Sequence, residues 1–247
     1  FIVQNKDEIA AVLVEPVQSR NPGFQPLKYL KDLRRITQEL GVALIFDEII
    51  TGFRIHLGGC QHYFGIQADI VTYGKVIGGG LPIGIVAGKA EYMDALDGGV
   101  WCFNDDSFPE TKTTFVAGTF CHHPLAMTAA LKTIELLQNV ETSPLEELNR
   151  VTTEFCDRMN AFFVEKRIKI SIAHFGSLFR FKTTGKANML YYHLLLKGVY
   201  IWEGRNCFFS TEHSPEIIQQ IEEKIKQSCD HLIDEGIVKQ LKPRKNG

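Results

Sequence analysis

The chain has 247 residues, enough for one large or two modest domains, and 45% of them are hydrophobic, the content of a soluble globular protein. Lys and Arg number 27 against 29 Asp and Glu, a formal net charge of −2 that gives no footing for nucleic acid or an anionic membrane. No apolar run approaches the roughly 20 residues of a membrane span, and six scattered cysteines with no Cys-x-x-Cys pair read as reduced thiols of a cytoplasmic protein.

Residues 9–15 read as a buried parallel strand ending at Glu15-Pro16. Phe1 is not a start methionine and a core strand follows it almost at once, so we expect a chain cut from inside a larger domain. Residues 18–23 form a loop and 26–40 a helix, with Pro26 in its first turn, Leu27, Leu30, Leu33 and Ile36 at helical spacing, and Gly41 as its stop. A strand over 42–46 completes a strand–helix–strand unit with a right-handed crossover. A loop with a short helix fills 51–67, strands follow over 68–72 and 83–87, and a short helix covers 90–96. Residues 98–116 are a long polar and aromatic loop, of a length that is usually functional or held in an interface, and a helix runs over 124–140. A second region starts near Ser143, which caps, and Pro144, which opens, a helix with Leu145, Leu148, Val151, Phe155, Met159 and Phe162 on one face. Short strands over 177–182, 199–202 and 207–210 and two helices follow, the last opening at Ser214-Pro215 and burying Ile217, Ile218, Ile221 and Ile225. The expectation is an α/β fold: a large, mostly parallel-sheet domain over 1–141, a small α+β subdomain over 142–247, and a frayed tail, LKPRKNG.

Two of the strand-like runs end in a polar residue: Asp47 after Ala43-Leu44-Ile45-Phe46, and Lys75 after Ala68-Asp69-Ile70-Val71-Thr72. Open α/β sheets place their sites at the C-terminal ends of buried strands. A lysine and an acid there suit pyridoxal 5'-phosphate (PLP), which needs an amine for its Schiff base and a carboxylate facing its pyridinium nitrogen. The glycines after Lys75 (Gly78, Gly79, Gly80, Gly84) let backbone approach such a cofactor closely.

Four motifs then occur in order: VEPVQS (Val14 to Ser19), IFDEIITGFR (Ile45 to Arg54), TYGKVIGGGLPIG (Thr72 to Gly84) and AGTFCHHPLAM (Ala117 to Met127). With these, and with KGVYIWEGRNCFFSTEHSPE (Lys197 to Glu216) as a C-terminal subdomain segment, nearly the whole chain resembles the class III aminotransferases of the fold-type I PLP enzymes. Within that class it is similar to the glutamate semialdehyde aminomutase group, and closer still to aminotransferase domains embedded in hybrid polyketide–peptide synthetases. The resemblance implies Lys75 as the cofactor lysine and Asp47 as the pyridinium partner. It implies Ile49 on the ring face, or as plain core; Glu48 near the ring hydroxyl, or merely buried and paired; and Gln18 with Ser19 where a loop approaches the cofactor's oxygen side. Arg54 either binds a carboxylate or makes a structural ion pair. Thr119 matches a phosphate-binding threonine that serves the neighbouring subunit of a homodimer, the alternative being a cap for the helix near Pro124. The aromatics Trp101, Phe103, Phe108 and Phe115 would then lie near that contact, or else pack within their own protomer. The family's upstream phosphate loop and stacking aromatic have no counterpart in these 247 residues. His122-His123 stands where the family commonly has Gly-Asn. The pair is not a metal site by spacing alone, and it reads as packing or interface. The implied reaction is amino transfer from an amino-acid donor to a keto acceptor, a β-ketoacyl thioester on a carrier protein. Aminomutase action and a non-catalytic fragment are the alternatives.

Overall fold

The computed structural model describes residues 1–138 and 144–242. The end of the helix predicted to reach Val140, the predicted cap Ser143 and most of the LKPRKNG tail lie outside them. The chain forms two compact units: Phe1–Pro16 with Gln25–Glu141, and Val17–Phe24 with Thr142–Gly247. The segment joining the first strand to the first helix thus packs with the second unit. Among the described residues no helix is long and apolar enough to cross a membrane.

The first unit is built on a four-stranded sheet in the order β1-β2-β3-β4, with β1 (Ala11–Val14), β2 (Ala43–Asp47) and β3 (Ile70–Gly74) parallel and β4 (Gly84–Gly88) antiparallel to β3. Helix α1 (Leu27–Glu39) crosses from β1 to β2 and stops where Gly41 takes φ +66. It buries Leu30 and Leu33 against Leu44, Phe46 and Val71; Leu27, predicted on that face, is exposed because the inward stripe runs on to Thr37 instead. Two short helices, α2 (Gly59–Phe64) and α3 (Ala90–Asp97), flank β3 and β4, and α4 (Pro124–Gln138) closes the described part of the unit.

The N-terminal ends of the strands are tied by Asp69. Its carboxylate accepts from the Leu44 N–H at 2.8 Å and pairs with Arg34 at 2.8 Å and Lys89 at 2.6 Å. Burial works to raise its pKa, but the Leu44 N–H, Lys89 and Arg34 together hold it below the usual carboxylate value. A depressed pKa means stability that is present above the ordinary value of 3.8 and is lost as pH falls through the lowered one. Asp69→Ala is expected to cost about 3 kcal/mol by stranding Arg34. Urea unfolding of the 247-residue chain should show it, together with a flatter acid limb than wild type. An unchanged midpoint would remove the node from the account.

The first helix of the second unit is α5 (Pro144–Glu165), whose Phe155, Met159 and Phe163 are buried. It packs on an antiparallel sheet of β5 (Ser171–Phe175), β6 (Leu178–Lys182) and β7 (Cys207–Phe208). The free edge of β5 is met by Asn160, whose side-chain amide donates to the Ile172 carbonyl at 2.9 Å and accepts its N–H at 2.7 Å. Helices α6 (Met189–Leu196) and α7 (Pro215–Asp234) complete the unit. Ser214 caps α7 by accepting from the Ile217 N–H, and Pro215 opens it, as the sequence predicts. Ile217 itself is exposed; the buried stripe is Ile218, Ile225, Cys229 and Leu232. No strand forms over 199–202. The Val199 N–H is spent on the Leu194 carbonyl at 2.8 Å, closing α6, so it cannot enter a ladder.

Candidate active site

Asp47 and Lys75 emerge from the same end of adjacent parallel strands. Asp47 closes β2 opposite Thr72, and Lys75 follows β3 directly. Both leave the sheet where chain polarity presents strand ends rather than strand faces, so apolar β2 and β3 act as a rigid base for two polar groups. Asp47 is half-buried and accepts from the Ile49 N–H at 3.1 Å, turning the chain sharply after the strand. Lys75 is exposed, starts a one-turn 3-10 helix (Lys75–Gly78), and has φ +53, a left-handed backbone that a lysine rarely adopts.

The turn carrying Lys75 is packed from two sides. A Cβ on Gly79 would come within 2.7 Å of Thr133 Oγ1, so α4 lies directly on this turn. A Cβ on Gly74 would stand 3.2 Å from the Ile83 carbonyl and 3.5 Å from Ile49 Cγ2. Ile49 therefore lies over the backbone just before Lys75, and it is exposed rather than part of the hydrophobic core.

Glu48 is fully buried, pointing away into the loop that follows β2. Its carboxylate accepts from the Cys60 N–H at 2.6 Å, the Gln61 N–H at 3.2 Å and the Thr51 hydroxyl at 3.2 Å. Burial pushes its pKa up, and those donors oppose the rise. Gly59, at φ +60, is required at this clamp because a Cβ there would sit 2.7 Å from Glu48 Oε1. Glu48 thus fastens residues 51–61 back onto the end of β2. Arg54, on the same loop, is largely buried, and burial pulls its pKa down to about 10.

Thr119 lies exposed in the turn before α4. His123, not Thr119, immediately precedes the helix, and Thr119 makes no hydrogen bond among the described residues. His122, at φ +55, and His123 are also exposed. The long loop does not fold its aromatics inward: Phe103, Phe108 and Phe115 are 83, 75 and 92% exposed. Trp101 is anchored by its indole N–H to the Asp97 carbonyl at 2.7 Å. Gln18 and Ser19 belong to the second compact unit, where Gln18 is exposed and its carbonyl accepts from the Asn21 N–H at 2.8 Å. Sequence reasoning missed the Asp69 node; an acid at the start of a buried strand was the available signal.

A parallel sheet that presents a lysine and an acid from neighbouring strand ends, in this motif order, defines a class. The chain belongs to the class-III aminotransferase family, whose model (Aminotransferase class-III) matches residues 1–229. It is 34% identical over 241 residues to a protein of Methanococcus maripaludis named glutamate-1-semialdehyde 2,1-aminomutase, an alignment covering 89% of this chain and 52% of that one. Among solved structures it is similar to an omega-transaminase from Sphaerobacter thermophilus, with TM-score 0.80, 26% identity, and 93% of this chain and 53% of that one covered. A transaminase with PLP bound superposes with TM-score 0.78 at 25% identity, covering 95% and 55%. The chain spans about half the length of the relatives it matches.

Proposed function

We propose that the protein carrying this chain transfers an amino group from an amino-acid donor to a keto acceptor, using PLP. The observation that carries the reading is the placing of Asp47 and Lys75 at one end of adjacent parallel strands. The residues fit the cofactor: a carboxylate for the ring nitrogen, a primary amine for its carbonyl, and an exposed aliphatic, Ile49, laid over Gly74. When bound, PLP supplies an electron sink that acidifies the proton on the substrate carbon bearing the amine. Lys75 Nζ would hold the cofactor through its amine and would serve as the base that takes that proton and the acid that returns it. Asp47 holds a proton on the ring nitrogen by charge pairing. Glu48 keeps the loop bearing Ile49 in place. Six cysteines, none in a disulfide, support a reducing compartment, the cytoplasm.

The acceptor we propose is a β-ketoacyl thioester on a carrier protein, as the resemblance to synthetase-embedded aminotransferase domains implies. A second reading is intramolecular transfer of the aminomutase kind, supported by the Methanococcus maripaludis relative's name. A nitrogen-15-labelled amino donor separates them. Label in the product of an unlabelled keto acceptor supports transfer between molecules; glutamate semialdehyde rearranged with its own nitrogen supports the mutase. Neither product, from PLP-loaded protein, would sink both.

We also propose that Thr119 holds the phosphate of the neighbouring subunit's cofactor in a homodimer. The exposure of Thr119 and of Phe103, Phe108 and Phe115 supports it. A dimer mixed from Lys75→Ala and Thr119→Ala protomers then has one site with both lesions and one with neither. Activity should recover toward half of wild type. No recovery over the two parental homodimers means Thr119 serves its own subunit.

A further inference from the structure

The second unit contains a cavity that nothing in the proposed amino transfer uses. It lies between the sheet and helices α6 and α7, with a volume of about 290 Å³. Its floor is apolar and fully enclosed: Phe155, Phe179, Leu194 and Ile225 are all 5% exposed or less. Its mouth is different. Trp202 is 64% exposed there, beside exposed Arg205. Arg205 carries the one fixed charge among the described residues lining the cavity, and its guanidinium is in none of the ion pairs among the described residues. Glu203, two positions away, does not line the cavity, and its carboxylate is held by Asn188 at 2.6 Å and Tyr192 at 2.8 Å. The other polar groups add no negative charge. His213 spends Nδ1 on the Ser210 N–H, and burial pushes the Cys207 thiol up to about 11, which keeps it protonated.

We propose that this cavity binds a small amphipathic carboxylic acid, its apolar part on the Phe155–Phe179–Leu194–Ile225 floor and its carboxylate on Arg205 at the mouth. Size sets the apolar part. An engineered apolar cavity of about 150 Å³ takes one six-carbon benzene, so about 290 Å³ has room for the apolar tail of octanoate. Charge sets the head group, because a guanidinium fork matches a carboxylate in geometry as well as sign. An enclosed apolar floor with one convergent charged group is the usual build of a small-molecule site. The assignment rests on the second unit alone and is independent of Asp47 and Lys75.

The chain carries its own reporter. It has two tryptophans, so in a Trp101→Phe background the fluorescence is that of Trp202 at the mouth. Titration with octanoate should give a saturable change. Across butyrate, hexanoate and octanoate, affinity should rise about fourfold per added methylene, the worth of one buried CH2. Octanol should bind about tenfold more weakly than octanoate. Arg205→Ala, an exposed substitution that leaves the core intact, should weaken octanoate about tenfold and leave octanol unchanged. A flat response along the chain-length series would overturn burial in the cavity. An Arg205→Ala protein that binds octanoate as wild type would overturn the head-group assignment, and no saturable change with any probe would overturn the site.

Discussion

In an active protein carrying this chain, Lys75→Ala is expected to lower kcat/KM by at least about 10⁴-fold, because one amine serves as both covalent anchor and proton carrier. The fold should survive the change. Lys75 is exposed, and the packing of its turn depends on Ile77, Gly78 and Gly79, not on its side chain. Circular dichroism should therefore match wild type while cofactor trapped by borohydride disappears from the tryptic peptide around position 75. The obvious rival, Lys89, is held by Asp69 at 2.6 Å at the opposite end of β3. Label recovered on Lys89 would nevertheless show that the wrong end of the sheet has been assigned.

Asp47→Asn separates binding from chemistry. The amide keeps the shape of the side chain and can still accept from the Ile49 N–H, so the turn after β2 should hold and PLP should still bind. What is lost is the negative charge. About 3 kcal/mol of pairing with a desolvated cation corresponds to roughly a 10²-fold fall in turnover. The measurement is kcat at saturating cofactor, set beside the cofactor's Kd. Turnover equal to wild type would take Asp47 out of the reaction. A parallel loss of cofactor binding would make it an anchor instead.

Asp47 and Lys75 were legible because each stands at the end of an apolar strand, a signal contained in a few consecutive residues. Ala43 to Asp47 announces both a buried strand and the polar residue that closes it. Interactions that span sequence were not legible. Glu48 reaches the Cys60 and Gln61 amides 12 and 13 residues on, and no local pattern states which loop a buried acid will hold. The apolar run at 199–202 has strand composition, yet it follows Gly198 at φ +77 and its first N–H goes to a helix carbonyl. Conversely, the run into β5 alternates buried Ile168, Ile170 and Ile172 with exposed Lys169 and Ser171, a period-two pattern that is local and readable from sequence. The attachment of residues 17–24 to the second unit depends on tertiary packing that composition does not encode.

Lys75 stands at φ +53, in a region where every side chain but glycine's meets its own backbone. Lysine, alanine and most other residues therefore hold this turn under tension of about 1 kcal/mol, and glycine would release it. Lys75→Gly should accordingly be more stable than Lys75→Ala, and than the natural protein, even as the proposed amino transfer is lost. Over evolutionary time such a position drifts toward glycine or asparagine once nothing opposes the drift. In a lineage that had abandoned the reaction, this residue should be among the first to change, before anything in the surrounding core.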